Sequence, residues 1–285
     1  MALLALIWGG SFLAIRTALD EIPPLTSVAH RVMWAAAALW VVVLIRRVAM
    51  PRSACVWGAF LVMGCLNNVI PFGLMAWGQL YIETGLTAIL NAATAIWGVL
   101  VAAIVFADER LTRRRMAGVS LGFLGVAVAI GLDNFATLDL RSLAQLAVIG
   151  GTISYAFAGS WARAQMKGQA AIVSATGMLT CSTVIAVPLA TLVEGPISLD
   201  LELRTWAAIA YYALIATAGA YLLYYAILAR AGAGMLLVVT LMIPPVAILL
   251  GAWLRDETLM PSAYLGFALL ALGLAILGRR RRNGF

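Results

Sequence analysis

The chain has 285 residues, of which 64% are hydrophobic and 11% charged, and its mean hydropathy is +1.01. Water-soluble domains are about half apolar and about a quarter charged, so this composition excludes a soluble enzyme, a secreted disulfide scaffold and a disordered chain, and makes the bilayer the solvent. The net charge of +7 is no sign of nucleic-acid binding, because most arginines sit at the ends of apolar runs, where they orient a membrane protein.

A spanning helix needs about 20 mainly apolar residues. Breaks at charges, prolines and glycines divide the chain into ten predicted spans, at 2–19, 24–45, 54–80, 84–107, 113–132, 142–163, 170–193, 205–228, 232–254 and 259–278. The expected fold is therefore an all-α integral membrane protein of ten transmembrane helices, with connections too short to hold a soluble domain.

The first span lacks the basic lead-in of a signal peptide and carries Trp8, Ser11 and Arg16, so it is expected to be a working helix. Arg31 lies about 10 Å into the second span at the helical rise per residue. Pairing with Asp20 or Glu21 is the expectation for it, and a substrate carboxylate is the alternative. His30, the single histidine, is expected to be interfacial rather than a proton switch.

The third span holds Asn67 and Asn68 midway, followed by Pro71. Proline lacks the backbone donor, so a carbonyl one turn earlier is freed, and Asn67 is the i−4 residue. The two asparagines are either polar contacts near an unwound turn or packing glue between helices. In the fourth span Asn91, Thr94 and Trp97 recur at three-residue spacing on one helical face. That stripe suits the polar end and the apolar side chain of a zwitterion, with interhelical packing as the alternative.

Tyr155 lies deep in the sixth span. Tyr221 and Tyr224, with Tyr225, share a face of the eighth and are candidates for the inner pathway. In the ninth, Pro244 and Pro245 demand a bend and, with Pro71, are the predicted hinge positions. Trp57 and Trp206, at span starts, are expected to be interface anchors.

Placing the N-terminus in the cytoplasm puts Arg46, Arg47, Arg52, Arg110, Arg113, Arg114, Arg115, Arg163, Lys167, Arg230 and Arg279 to Arg282 on the inner side, fourteen of the 19 basic residues. Both termini are then cytoplasmic and the number of spans is even.

The two halves resemble each other at an offset of 148: Asp108-Glu109-Arg110-Leu111 matches Asp256-Glu257-Thr258-Leu259, Gly118 matches Gly266, and Gly125 matches Gly273. Shifted by one, Trp8 and Arg16 match Tyr155 and Arg163. Each half holds five spans, an odd number, so the second half enters the membrane from the opposite side. Residues 1–132 and 142–279 are the two predicted inverted repeats. Transporters built this way place a substrate site near the midplane.

These motifs together resemble the EamA family of the drug/metabolite transporter superfamily. The residues that carry the likeness are Trp8-Gly9-Gly10-Ser11-Phe12-Leu13-Ala14, Pro23-Pro24 followed by Arg31, the two Asp-Glu-x-Leu connections with their glycines, and Pro244 ahead of Glu257. The first half departs from it, with Ile96 at the position equivalent to Pro244. The resemblance implies two inverted five-helix repeats and export by alternating access. Within the family the chain is similar to amino-acid exporters of the YddG type.

No Asp or Glu falls in the middle of a predicted span, which disfavours a cation pump that binds drug and proton on a buried carboxylate. No HExxH, GxSxG or P-loop occurs, and a lone histidine with terminal acids supplies no general acid–base pair. Cys55, Cys65 and Cys181 form no CxxC pair and are expected to pack, so no metal and no cofactor are expected. The expected function is secondary export of small neutral metabolites, with aromatic and other hydrophobic amino acids first. A drug or nucleotide-sugar transporter of the same superfamily is the alternative, and a membrane-embedded enzyme the third reading. The expected partners are a small-molecule substrate and the lipid bilayer of the inner membrane, and a monomer suffices to enclose a pathway.

Overall fold

The computed structural model describes residues 1–131, 139–224 and 233–278. All regular structure in those residues is helical, with no strand. In chain order the helices are α1 Ala2–Ala18, α2 Pro24–Ile45, α3 Ala54–Gly78, α4 Thr84–Val105, α5 Arg113–Ile130, α6 Leu140–Gln165, α7 Ala171–Glu194, α8 Leu203–Tyr224, α9 Ala233–Arg255 and α10 Pro261–Gly278. Tyr225, Arg230 and Arg279 to Arg282 lie outside the described residues.

Seven of these helices, α2, α3, α4, α6, α7, α8 and α10, are long and apolar enough to cross a membrane, and α1 is a shorter apolar helix. At 1.5 Å per residue the 22 residues of α2 reach about 33 Å, slightly more than the hydrocarbon core. Large apolar side chains cover the outside: Ile104 and Leu192 are each 84% exposed and Trp253 79%. Water does not tolerate so extensive an apolar surface, whereas lipid does. The chain is a multi-pass membrane protein.

Local chemistry sets the helix ends. Pro24 occupies the first turn of α2, where its missing N–H costs no hydrogen bond. Thr112 accepts the Arg115 N–H at the start of α5, and Asp139 accepts that of Ser142 at 2.7 Å at the start of α6. Gly131 and Gly195 end α5 and α7 with φ of 87° and 95°, a region that favours glycine.

Three helices are irregular in their middles. α3 runs as a π-helix over Cys65–Val69, and α8 does so over Tyr211–Gly219. Each is the third helix of its half, and the offset of 148 carries residues 65–69 onto 213–217. In α3 the cause is partly legible. In the i+5 register the partner of the Leu66 carbonyl would be the N–H of residue 71, which is proline. Ser154 Oγ from α6 donates to that carbonyl instead, at 2.7 Å. The freed carbonyl is thus Leu66, not the expected Asn67. α4 breaks between Asn91 and Thr94, so these two do not share the one continuous helical face the spacing predicted. α9 is assigned as helix throughout Ala233–Arg255 with Pro244 and Pro245 inside it.

α5 and α10 form the most extensive helix pair, packed backbone to backbone through glycine. A β-carbon on Gly118 would stand 2.9 Å from the Gly273 carbonyl oxygen, and one on Gly125 would stand 2.7 Å from that of Gly266. The remaining helices enclose a central space, with α1 against α9, α2 against α7 and the π-segment of α8, and α6 against α3 and α4.

Candidate functional site

That space is a cavity of about 470 Å3, within the usual range for small-molecule sites. It is bordered by α1, α2, α3, α4, α6, α7, α8 and α9. Of the residues singled out in the sequence, Trp8, Ser11, Asn67, Asn91, Thr94, Tyr155, Tyr221 and Tyr224 line it.

Their hydrogen bonds fix the wall. Trp8 Nε1 donates to the Ala216 carbonyl at 3.1 Å, which uses a carbonyl of the α8 π-segment, and the Trp8 ring lies 6.0 Å from that of Tyr224. Ser11 Oγ donates to the Trp8 carbonyl at 2.7 Å, so the hydroxyl proton is spent within α1. Asn67 Nδ2 donates to the Tyr221 hydroxyl at 2.9 Å, and that hydroxyl donates to Asn68 Oδ1 at 3.0 Å. Asn68 Nδ2 then donates to Ser182 Oγ at 2.9 Å, and Ser182 Oγ to the Met178 carbonyl at 2.8 Å. The relay links α3, α7 and α8. Asn68 itself is fully buried off the cavity, and packing glue describes it.

Trp97 is also off the cavity. Its ring meets Phe123 of α5 edge to face at 4.7 Å, because the break before Thr94 separates it from the face of Asn91. Pro71 lies behind the wall, against Gly151 of α6. Pro244 and Pro245 are not among the lining residues, although their neighbours Thr240 and Ile243 are. His30 does not line the cavity either. It is fully buried, Trp34 Nε1 donates to its Nδ1 at 3.2 Å, and Trp206 stacks on it edge to face.

Sequence reasoning missed Phe72, Met63, Met75, Met178 and Thr217, which also line the cavity. It also misplaced Arg31. Asp20 is bonded instead to Arg255, at 2.8 and 2.9 Å, and to Arg16 at 3.2 Å, while Glu21 accepts the Glu202 N–H at 3.0 Å. Arg31 turns into the cavity, where its Nε donates to Thr217 Oγ1 at 2.9 Å. No signal in a lone arginine one-third of the way along an apolar span distinguishes those two outcomes.

Polar ties fasten the end of the bundle that holds the α1–α2, α3–α4, α7–α8 and α9–α10 connections. Besides the Asp20 cluster, Arg141 pairs with Glu83 at 2.8 Å. Glu194 accepts the Leu25 and Thr26 N–H groups at 2.9 and 2.7 Å, and Glu257 accepts from Thr84. The opposite end has the Arg163 pairs with Asp108 and Glu109. Among the described residues no group of His, Cys, Asp and Glu is placed to hold a metal ion.

The model of the EamA-like transporter family matches residues 1–131 and 142–279. A relative in Escherichia coli (strain K12) named "Probable amino-acid metabolite efflux pump" is 26% identical over 96% of this chain and 92% of its own length. One in Streptantibioticus cattleyicolor named "Probable terminal-alkyne amino-acid exporter" is 27% identical over 73% of this chain and 68% of its own. A solved crystal structure with 18% identity superposes with a TM-score of 0.69 over 96% of this chain and 93% of that one, a likeness of fold alone.

Proposed function

We propose that this chain, which belongs to the EamA-like transporter family, is a secondary transporter that exports small neutral metabolites through its central cavity by alternating access. Aromatic and other hydrophobic amino acids are the leading substrates. The observation that carries this reading is the cavity wall: Trp8, Phe72, Tyr155 and Tyr221 beside three methionines, with a few polar groups and no acidic side chain among the described lining residues. Such a wall suits an apolar side chain with a small polar head. The names of the two relatives above point the same way.

Ten crossings in two inverted repeats, residues 1–132 and 142–279, fit this mechanism. Three observations support the repeat. The two π-segments fall at corresponding positions, and Trp8 and Tyr155, which also correspond, both line the cavity. The α5–α10 contact is reciprocal in its glycines. With both termini cytoplasmic, as the arginine distribution favours, the Asp20, Glu83, Glu194 and Glu257 ties lie outside and form the closed outer barrier. The cavity forms within one chain, so a monomer suffices for transport in the inner membrane.

A nucleotide sugar is the second reading within the superfamily. Its phosphates call for several buried cations, and Arg31 is the one charged residue among the described lining residues, so amino acids rank first. Facilitated efflux fits the cavity better than proton antiport, because His30 does not line it.

Efflux from proteoliposomes loaded with labelled tryptophan, phenylalanine, methionine or threonine tests the reading, with and without a pH gradient and against empty liposomes. Protein-dependent efflux is the expected result, unchanged by the gradient. Failure of all four to move with folded, inserted protein overturns the amino-acid reading in favour of the drug and nucleotide-sugar readings.

A further inference from the structure

A guanidinium inside a membrane protein demands a counter-charge or a water-filled path, because an unpaired charge away from water is costly. Arg31 has no counter-charge: no acidic side chain among the described residues pairs with it, and Asp20 and Glu21 are engaged elsewhere. What holds it is neutral. Its Cζ lies 3.7 Å from the centroid of the Phe72 ring, and its Nε donates to Thr217 Oγ1 at 2.9 Å. The Thr217 hydroxyl gives its own proton to the Tyr212 carbonyl at 2.7 Å, so it offers Arg31 a lone pair only. The aromatic face and the hydroxyl orient the guanidinium and spend one donor. Both terminal amino groups are left with no acceptor among the described residues, on a cavity wall. That planar pair of donors matches a carboxylate in two parallel hydrogen bonds.

A second unspent group lines the same cavity. The Asn91 side chain makes no hydrogen bond among the described residues, and its Oδ1 is a buried acceptor with no partner. Only the Asn91 backbone carbonyl is used, by Thr94 Oγ1 at 2.8 Å. That oxygen shows almost no surface, so a turn of the amide about its terminal bond is what brings it to a ligand donor, and the free energy of leaving it unsatisfied is then recovered.

We infer that Arg31 anchors the carboxylate and Asn91 the ammonium group of the transported molecule, so that the site takes α-amino acids as zwitterions. The same side chain on an α-amide or a simple amine brings a net positive charge toward Arg31 and offers it no carboxylate. Such molecules are rejected. The inference rests on the transport reading above but concerns binding, so it is tested separately from movement of solute.

Full-length protein in detergent is titrated with phenylalanine, leucine, methionine and threonine, each beside its α-amide, and with inorganic phosphate, reading thermal stability. At least one acid is expected to stabilise the protein, with its amide bound roughly tenfold or more weakly, and phosphate giving no shift. Arg31→Gln abolishes the preference for acid over amide, Arg31→Lys restores part of it, and Asn91→Leu weakens acid and amide alike. The wild-type preference is read without any substitution, so a variant that fails to fold does not disable the test. Amides bound as tightly as acids, phosphate bound in their place, or no acid bound by the wild type overturns the inference. Efflux of the same acids is measured in parallel. Acid-selective binding without efflux leaves the anchor standing and sinks the transport reading. Efflux indifferent to Arg31→Gln and inhibited equally by acids and amides does the reverse.

Discussion

Glu257, on the α9–α10 connection, closes the first turn of α4: its Oε2 accepts the Thr84 N–H at 2.8 Å and its Oε1 accepts the Thr84 hydroxyl at 2.7 Å. A carboxylate there satisfies a helix-start donor and sits at the positive end of the helix dipole. Its counterpart in the first half, Glu109, does something different, pairing with Arg115 and Arg163, each of which is 37% exposed. Corresponding residues thus make unlike contacts at the two ends of the bundle.

That difference predicts unequal costs. Glu257→Ala is expected to lower stability by about 1–2 kcal/mol, the scale of a lost cap with unsatisfied donors. Glu109→Ala costs less, about 0–1 kcal/mol, because solvent-screened ion pairs are weak. Thermal melting of the two purified variants checks the order, and equal losses would contradict it.

Glycine substitutions separate the α5–α10 seam from the rest. A β-carbon at Gly125 would stand 2.5 Å from the Leu270 backbone nitrogen, which cannot yield without moving α10. Gly125→Ala is therefore expected to lower stability by about 1–3 kcal/mol, the usual cost of overpacking. Gly98, inside α4, has nothing within 4 Å of such a carbon. Gly98→Ala is expected to be neutral or stabilising by up to about 1 kcal/mol, through helix propensity. The melting temperature should fall for Gly125→Ala and should not fall for Gly98→Ala.

Asp20 gives the protein an acid-sensitive tie. The hydrogen bond from Arg255 is the largest influence on its carboxyl and, with the charges of Arg255, Arg16 and Arg204, holds its pKa below the ordinary 3.8, against the opposing effect of partial burial. A depressed folded-state pKa means the stabilisation is complete above the unfolded value and is lost as pH falls through the folded one. Its side chain is 37% exposed, so solvent screening limits the contribution to about 1 kcal/mol or less. Asp20→Asn should lower the melting temperature at pH 7 and bring it closer to the wild type's as pH falls below 3.8. A constant gap across that range would refute the assignment.

Asn67 and Asn68 are adjacent in sequence and should behave differently. Asn68 is buried and bonds Ser182, Tyr221 and Asn67, so Asn68→Leu is expected to cost about 1–3 kcal/mol of stability by stranding buried partners. Asn67 faces the cavity. Asn67→Ala should change the KM for transport at least severalfold with a smaller loss of stability. Trp97→Phe, at the α5 contact, should leave KM unchanged. Melting curves and initial efflux rates on the three variants decide it.

Much of this architecture is legible in the sequence, because its signals are local. Pro24, Gly131 and Gly195 mark helix ends by backbone chemistry alone, and Trp8 and Tyr155, matched by their spacing in sequence, both line the cavity. The break in α4 is not legible, since Ala92 and Ala93 are strong helix formers, and flanking weak formers such as Asn91 and Thr94 also occur inside unbroken helices. The π-segment of α8 contains no proline, unlike its counterpart ahead of Pro71, so it carries no equivalent sign. The partners of Arg31 come from distant parts of the chain. Arg255, 235 residues from Asp20 in sequence, holds that carboxylate, and Phe72 and Thr217 receive the guanidinium instead. Contacts of such separation leave no periodic trace.

The glycine seam between α5 and α10 has a further meaning. Gly118 meets Gly273 and Gly125 meets Gly266, while by sequence Gly118 corresponds to Gly266 and Gly125 to Gly273. A patch whose members meet each other's counterparts is self-complementary, which is the condition for an isologous two-fold interface between separate subunits. The seam therefore has the form of a two-fold contact made within one polypeptide, so a change at one glycine position is met by the partner of its sequence counterpart.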